Sequence, residues 1–556
     1  MEIEKIWLES YSQGTPAELP VPESRSLRET IERAFERHAD RRCYTNMGTT
    51  LTYRDMDRLS LRFASYLQNT LGLIKGERVA IMLPNILQYP VALFGIFRAG
   101  LVAVNVNPMY TARELRHQLS DSGARCVIVL ENFAHTVQEV IGDTAVDHVV
   151  TTQVGDLLKF PKRHIINFAL KHVKKSIPSY SIPGSTAFRA ALRAGRRNSV
   201  KPVELGYADL AFLQYTGGTT GLSKGAMLSH RNMVFNIDQG LAWIGDTLGE
   251  KKDVVAITAL PLYHIFSLQS NCLSMMVDGG ENILITDPRD MRGFVREMAK
   301  HKFVYFTGVN TLFAGLLNTP GFADLDFSSL KMSVGGGMAV QEAVSKKWKE
   351  VTGQHITQAY GLTETSPAAI INLPGSDTFT GSIGLPITST EVCICDDAGN
   401  NLEIGEIGEI CIRGPQVMEG YWRNEEETKN VMLPGGWFRT GDVGRMDERG
   451  FVYIEDRKKD MILVSGFNVY PNEIEGVVAE LDGVLEVAAI GKPHEKSGEI
   501  VKLFVVKSDP SLTEDQIMQH CRSNLTNYKV PKAIEFRDEL PKTNVGKILR
   551  RELREE

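Results

Sequence analysis

Ala211-Phe-Leu-Gln-Tyr-Thr216-Gly217-Gly218-Thr219-Thr220-Gly221-Leu-Ser-Lys224-Gly225 starts as an apolar strand and turns into a run of glycine, threonine and lysine. Glycines let backbone N–H groups turn toward an anion. Threonine hydroxyls add donors, and Lys224 supplies a point charge for phosphate oxygens. A helical pattern follows, through Gln239. No glycine stands five residues before a Gly-Lys-Ser/Thr, so this is not a Walker A loop, which weakens kinase, GTPase and ATPase readings. The plain alternative is a flexible hairpin loop. So many donors and a lysine in eleven residues argue against it.

Outward from this loop, β-rich apolar runs such as Arg78-Val-Ala-Ile-Met-Leu, Arg125-Cys-Val-Ile-Val-Leu and Val254-Val-Ala-Ile-Thr alternate with helical patterns. Such alternation predicts α/β layers with parallel or mixed sheets. Residues 57–71, with Leu59, Phe63 and Leu67 four apart, predict an amphipathic helix. Residues 91–106 are the most apolar stretch but carry Arg98, and they are too short to span a bilayer. They predict a buried helix passing into a strand. From about 391 to 455 the texture changes to short strands and glycine turns, which predicts a β-rich subdomain. The charged run Asp456-Arg-Lys-Lys-Asp460 then marks a boundary, or else a solvated surface turn. The expected organisation is a large α/β region over 1–455, a hinge at 456–460 and a small mobile α+β domain over 461–556.

The 556 residues carry a net charge of −6, which excludes a strongly basic nucleic-acid binder. Seven scattered cysteines without a CxxC pair suggest neither a disulfide framework nor a zinc site, and a reducing cytosol fits them. The N-terminus lacks an apolar signal core. Residues 157–203 depart from the acidic balance, with eleven Lys and Arg and no Asp or Glu. Its first part interleaves bases with Phe160, Ile165, Ile166, Phe168, Leu170 and Val173. Two readings stand equal: a helix that contacts an anionic membrane surface, or a solvated helix packed on its own domain.

Four further segments follow the glycine-threonine loop in order: Gln358-Ala-Tyr-Gly-Leu-Thr-Glu-Thr365, Trp437-Phe-Arg-Thr-Gly-Asp442, Asp456-Arg-Lys-Lys-Asp-Met-Ile-Leu-Val-Ser-Gly-Phe-Asn468 and its continuation to Glu475, and Pro541-Lys-Thr-Asn-Val-Gly-Lys547. With the loop, these resemble the adenylate-forming enzymes: acyl-CoA synthetases, luciferases and peptide-synthetase adenylation domains. The resemblance covers nearly the whole chain. The long hinge segment and the basic stretch are most similar to those of bacterial long-chain fatty acid–CoA ligases.

The resemblance implies two steps. A fatty carboxylate displaces pyrophosphate from ATP, and coenzyme A then takes the acyl group and releases AMP. It assigns Thr216, Gly217, Gly218, Thr219, Thr220, Gly221 and Lys224 to the β- and γ-phosphates. Tyr360 would flank the adenine, Thr363 would meet the α-phosphate and Glu364 would hold Mg²⁺. Asp442 and Arg457 would bind the ribose, Lys459 would be the hinge, and Lys547 the adenylation catalyst. After a rotation, Ser465, Gly466 and Phe467 would line the coenzyme A channel. His264 would orient the carboxylate or gate the thiol, although a core histidine is an equal reading. Some long-chain members carry a gating tryptophan shortly after this histidine, where this chain has Leu268. The apolar stretch 309–317 and Gly335, Gly336 and Gly337 would wall the acyl or nucleotide pocket.

The expected activity is ATP-dependent ligation of a long-chain fatty acid to coenzyme A. Rivals are a medium-chain or aryl acid–CoA ligase, an acyl-AMP ligase that passes its product to a carrier protein, and a non-catalytic binding module. No nucleic-acid partner is expected. A cytoplasmic protein, peripheral on the inner face of the membrane if 157–203 touches lipid, is the expected location, and a dimer is an expectation for the assembly.

Overall fold

The computed structural model describes residues 3–216, 223–245, 247–249, 254–376, 378–494, 497–543 and 546–555. Among these, strands form sheets of nine, seven, five and five strands. The mixed α/β expectation holds. The seven-stranded sheet runs Thr186–Ala187, His148–Thr152, Cys126–Leu130, Arg78–Met82, Val102–Asn105, Leu210–Thr216, Lys224–Ser229. It is parallel except for its last pair, an antiparallel hairpin that registers Thr216 against Lys224. The glycine-threonine loop therefore tips a hairpin. Its residues 217–222, including Gly217, Gly218, Thr219, Thr220 and Gly221, lie outside the described residues.

The nine-stranded sheet has a parallel centre: Ile356–Gly361, Met332–Gly335, Tyr305–Gly308, Val255–Thr258, Glu281–Leu284 and Arg42–Asn46 in spatial order. Its inner strands, from Met332–Gly335 to Glu281–Leu284, are buried, as parallel strands covered on both faces must be. The buried helix foreseen in the most apolar stretch is Gln88–Arg98, every residue of it buried, and the strand Val102–Asn105 follows. Arg98 survives there because Asp57 and Glu32 pair it, at 2.6 and 3.3 Å. The amphipathic helix is Tyr53–Ser65, and a wider turn over Tyr66–Thr70 extends it.

The third sheet is antiparallel and runs from Glu391–Cys395 to Val452–Arg457. A turn at 458–460 leads to the last sheet, made of Ile462–Val464, Phe467–Val469, Val484–His494, Gly498–Lys507 and Ala533–Arg537. Helices Pro471–Ala479 and Glu514–Asn524 pack on it around their own apolar cluster. Among the described residues no apolar cluster spans the turn at 458–460. The two sides carry separate cores.

Candidate functional site: a cleft between the two cores

A cavity of about 1750 Å³ opens where the C-terminal ends of parallel strands meet the last sheet. Ligand sites favour this end of open α/β sheets. It brings together Thr216, Lys224, His264, Gly336, Tyr360, Thr363, Glu364, Asp442, Arg457, Lys459 and Lys547. Residues more than three hundred positions apart thus share one surface.

The group around Asp442 is a closed network. The Tyr360 hydroxyl donates to Asp442 Oδ2 at 2.6 Å, and Arg457 Nε meets Asp442 Oδ1 at 3.2 Å. The second contact follows from register: Asp442 and Arg457 face each other on adjacent antiparallel strands, whereas Tyr360 comes from the nine-stranded sheet. Burial, then the Asp442 charge, lift the Tyr360 phenol far above its usual range, so it stays a donor. Asp442 raises the Arg457 pKa further, which fixes that cation. Beneath them the buried Glu409 accepts from Arg439 Nη2 at 2.6 Å and from the Gly441 N–H at 2.9 Å. That holds the turn preceding Asp442.

Gly336 is buried beside this group. A Cβ there would sit 2.8 Å from the Ala359 carbonyl oxygen, so only glycine lets the two backbones approach and keeps a flat wall beside Tyr360.

Elsewhere in the cleft, Glu364 lies in a short helical turn, Thr363–Thr365, and accepts the Tyr421 hydroxyl at 2.7 Å. Burial raises its pKa, and the Tyr421 bond opposes that. Lys224 sits 5.3 Å from the centre of the Tyr421 ring and pairs with Glu427. Among the described residues no three His, Cys, Asp or Glu gather to hold a metal by themselves. One buried carboxylate beside a phosphate site does fit Mg²⁺, which takes one or two carboxylates and completes its shell with phosphate oxygens and water.

Lys547 reaches the cleft on a short turn. Its N–H donates to Thr543 Oγ1 at 3.1 Å, and its carbonyl accepts the Thr543 N–H at 2.7 Å. The Thr311 hydroxyl, in helix Asn310–Leu317, donates to the Gly546 carbonyl at 2.9 Å and fastens that turn to the N-terminal side. Gly546 has φ +84°, and a Cβ would lie 2.8 Å from Thr311 Oγ1, so the turn requires glycine twice over. Desolvation and then Arg457 push the Lys547 pKa down to about 7. His264 is driven to about 4 by burial and by Lys547, so it is neutral at pH 7. Its Nδ1 accepts the Phe266 N–H at 3.3 Å, which leaves Nε2 as the N–H donor.

The apolar end of the cavity is walled by Ile244, Met275, Tyr305, Val309, Met332 and Val334, and Gly335 and Gly337 also line it. Of the stretch 309–317, Val309, Asn310, Thr311 and Ala314 reach the cavity. Leu268, where a gate was considered, is fully buried.

Ser465, Gly466 and Phe467 are not part of this arrangement. They form the connection between Ile462–Val464 and Phe467–Val469, and Phe467 stacks on Tyr528 at 4.7 Å with half its surface exposed. Sequence reasoning missed Tyr421, Glu427 and Glu409, and it named Thr311 only within the 309–317 stretch, without its bond to Gly546. None lies in a segment whose composition announces chemistry.

The family model for the AMP-binding enzyme matches residues 31–422, and that for the AMP-binding enzyme C-terminal domain matches 473–547. The chain belongs to the AMP-binding enzyme family. It is 54% identical to the long-chain-fatty-acid–CoA ligase of Salmonella typhimurium (strain LT2), over all of this chain and 98% of that one. It is 52% identical to the enzyme of that name from Haemophilus influenzae, over all of this chain and 99% of that one. Among solved structures, the anthranilate CoA ligase AuaEII in complex with anthranoyl-AMP superposes with TM-score 0.84 at 26% identity, covering 96% of this chain and 97% of that one. ATP-bound MatB from Rhodopseudomonas palustris gives TM-score 0.80 at 29% identity, covering 95% and 98%.

Proposed function

We propose that this chain is an ATP-dependent long-chain fatty acid–CoA ligase. The observation that carries the reading is the convergence of Lys547, from the last sheet's side, on the same cavity as Lys224, Glu364 and the Asp442 network. Full-length similarity to enzymes named for that activity supports it.

The first step brings a fatty carboxylate against a triphosphate, so like charges must be held together. Lys547 bridges the attacking carboxylate and the α-phosphate, and Thr363 donates to the same phosphate. Thr216 and Lys224, at the stems of the hairpin, hold the outer phosphates together with the loop between them. Neutral His264 presents an N–H to the carboxylate and adds no competing charge. Asp442 accepts from the ribose hydroxyls, and Tyr360 gives the adenine a flat wall. Glu364 would be the protein ligand for Mg²⁺, which when bound would offset phosphate charge. In the second step a turn about Lys459 withdraws Lys547 and brings Ser465, Gly466 and Phe467 to the thiol of coenzyme A. The apolar wall from Ile244 to Val334 takes the acyl chain, where each buried CH₂ contributes about 0.8 kcal/mol.

We also propose peripheral membrane contact through 157–203. The helix Lys162–Phe168 and the turn Ala169–Val173 leave Phe160, Ile165, Phe168 and Val173 exposed at 61% or more, among Lys159, Lys162, Lys171, Lys174 and Lys175. No helix among the described residues is long and apolar enough to cross a membrane.

Pyrophosphate release measured with acids of increasing chain length, with and without coenzyme A, tests the ligase reading. Preference for long chains and thioester formation support it. A maximum at aryl or medium-chain acids, or adenylate that never reaches coenzyme A, overturns it.

A further inference from the structure

Two kinds of contact surround Arg550, and they separate when sorted by the side of the 458–460 turn on which each partner lies. Arg550 opens the terminal helix Arg550–Glu555, three residues after Lys547. Its Nη2 donates to Glu475 Oε2 at 2.7 Å and to Asn472 Oδ1 at 2.6 Å, and its Nε donates to Glu475 Oε1 at 2.9 Å. Glu475 and Asn472 belong to helix Pro471–Ala479, so these bonds stay within the unit that carries Lys547.

The other contacts cross the turn, and they converge on one carboxylate. Asp456 is 1% exposed on the strand Val452–Arg457. Its Oδ1 accepts from Arg550 Nη1 at 3.0 Å, and its Oδ2 accepts the Asn472 N–H at 2.9 Å. Asn472 Nδ2 also donates to the Glu455 carbonyl at 3.3 Å. The next residue, Arg457, pairs with Asp442. One link therefore runs from the ribose-side network through Asp456 and Arg550 to the turn bearing Lys547. The terminal helix grips the turn as well: Arg554 donates to the Lys459 and Asp460 carbonyls at 3.4 and 3.0 Å.

We infer that Asp456 is a positioning residue for the first half-reaction alone. Through Arg550 and Asn472 it registers the Lys547-bearing unit against the nucleotide side, and that contact is given up when the unit turns for the second half-reaction. The inference rests on the two-step reading with Lys459 as hinge. A rotation at Lys459 leaves Asp456 on its strand and carries Arg550 and Asn472 away together. The Arg550–Glu475 pair travels intact, so the arginine keeps a partner, and Asp456 regains water. The contact is thus built to open without stranding a charge.

The test uses Asp456→Ala and Asp456→Asn in the full chain. Asp456→Asn keeps an acceptor for the Asn472 N–H and removes the charge facing Arg550, so it serves if the alanine variant does not fold. The expected result is a fall of about 10²-fold in kcat for pyrophosphate release, the scale of a misplaced catalytic group, with KM for ATP within about twofold. Thioester formation from supplied palmitoyl-adenylate and coenzyme A stays at or above the wild-type rate. An equal loss in both half-reactions, or a loss in neither, overturns the inference. Failure of the functional reading shows separately, as wild-type protein that makes no adenylate from a long-chain acid.

Discussion

Nucleotide binding should draw a proton onto the enzyme, and Lys547 should be the group that takes it. In the free protein its pKa is held at about 7, below its ordinary 10.5, by desolvation and by the neighbouring Arg457. A triphosphate in the cleft reverses the local field and favours the ammonium form. At pH 8 a group with pKa 7 is protonated in roughly one molecule in eleven, so restoring it to its ordinary value draws in about 0.9 proton per nucleotide. Calorimetric titration with a non-hydrolysable ATP analogue in phosphate and in Tris, at fixed magnesium, reads this uptake as the slope of heat against buffer ionisation enthalpy. Lys547→Met should abolish it. If the variant takes up as many protons as wild type at pH 8, Lys547 does not meet the nucleotide's charge and the mechanism above fails. A second consequence concerns stability. The native pKa lies below the unfolded one, so the unfolded chain binds more protons between pH 7 and 10.5. The cost of Lys547 is therefore full below pH 7 and fades as pH rises. Lys547→Met should raise the melting midpoint at pH 7, by an amount that shrinks toward pH 9, while adenylation is lost.

Lys224→Met should raise KM for ATP at least about tenfold while changing stability by no more than about 1 kcal/mol, since the Lys224–Glu427 pair is partly exposed. ATP titrations and thermal melts separate the two effects. Glu364→Gln should shift the magnesium dependence of pyrophosphate release to higher concentration with little change in folding, because the amide oxygen still accepts from Tyr421. Met275→Trp, filling the apolar wall, should move the preferred acid to shorter chains, each CH₂ denied a place costing about 0.8 kcal/mol or roughly fourfold in kcat/KM. Converting Lys171, Lys174 and Lys175 to glutamine should weaken binding to anionic liposomes by about two orders of magnitude at low salt, at roughly 1 kcal/mol per base. Unchanged liposome binding would favour a solvated helix.

Chemistry that lies in consecutive residues was legible in the sequence. The Thr216 to Lys224 run, the Tyr360 to Glu364 segment and the turn before Lys547 each concentrate donors or charges, and the fold brings the described ones to one cavity. What was not legible depends on partners far along the chain. Nothing near Arg42 announces that Arg42–Asn46 pairs in parallel with Glu281–Leu284, because parallel strands are joined by long crossovers. The strand Lys224–Ser229 was hidden for another reason. Its burial does not alternate, so the period-2 signal is missing, and only the helical pattern through Gln239 stood out after the loop, which tips a hairpin. Tyr421 and Glu427 were invisible because a tyrosine and a glutamate in a polar stretch carry no mark until folding places them against Glu364 and Lys224. Asp456 was read as part of a charged run and Arg550 was not singled out at all, which is how a buried ion pair looks before its halves are brought together.

The two steps make opposite demands on one cleft, and the distribution of contacts shows how a single chain can meet both. Adenylation needs a cation between two anions. Thioester formation needs that cation gone and a path opened for a thiol. The arrangement described here serves the first: Lys547 is in the cavity, and Ser465, Gly466 and Phe467 stand away from it. Exchanging one for the other would be prohibitive if an apolar interface had to be torn open, since each 100 Å² of apolar surface exposed costs about 2.5 kcal/mol. No apolar cluster of the described residues crosses the 458–460 turn; the last sheet and its helices close around Val464, Val487, Leu503 and their neighbours without borrowing from the other side. What crosses is polar and sparse: Asp456 with Arg550 and Asn472, Glu455 with Asn472, Thr311 with Gly546. Groups of this kind exchange protein partners for water at a net cost near 1 kcal/mol for a neutral bond and about 1.5–3 kcal/mol where one partner is charged. The turn about Lys459 proposed above is then an uphill step of a few kcal/mol, and binding of adenylate and coenzyme A can supply it.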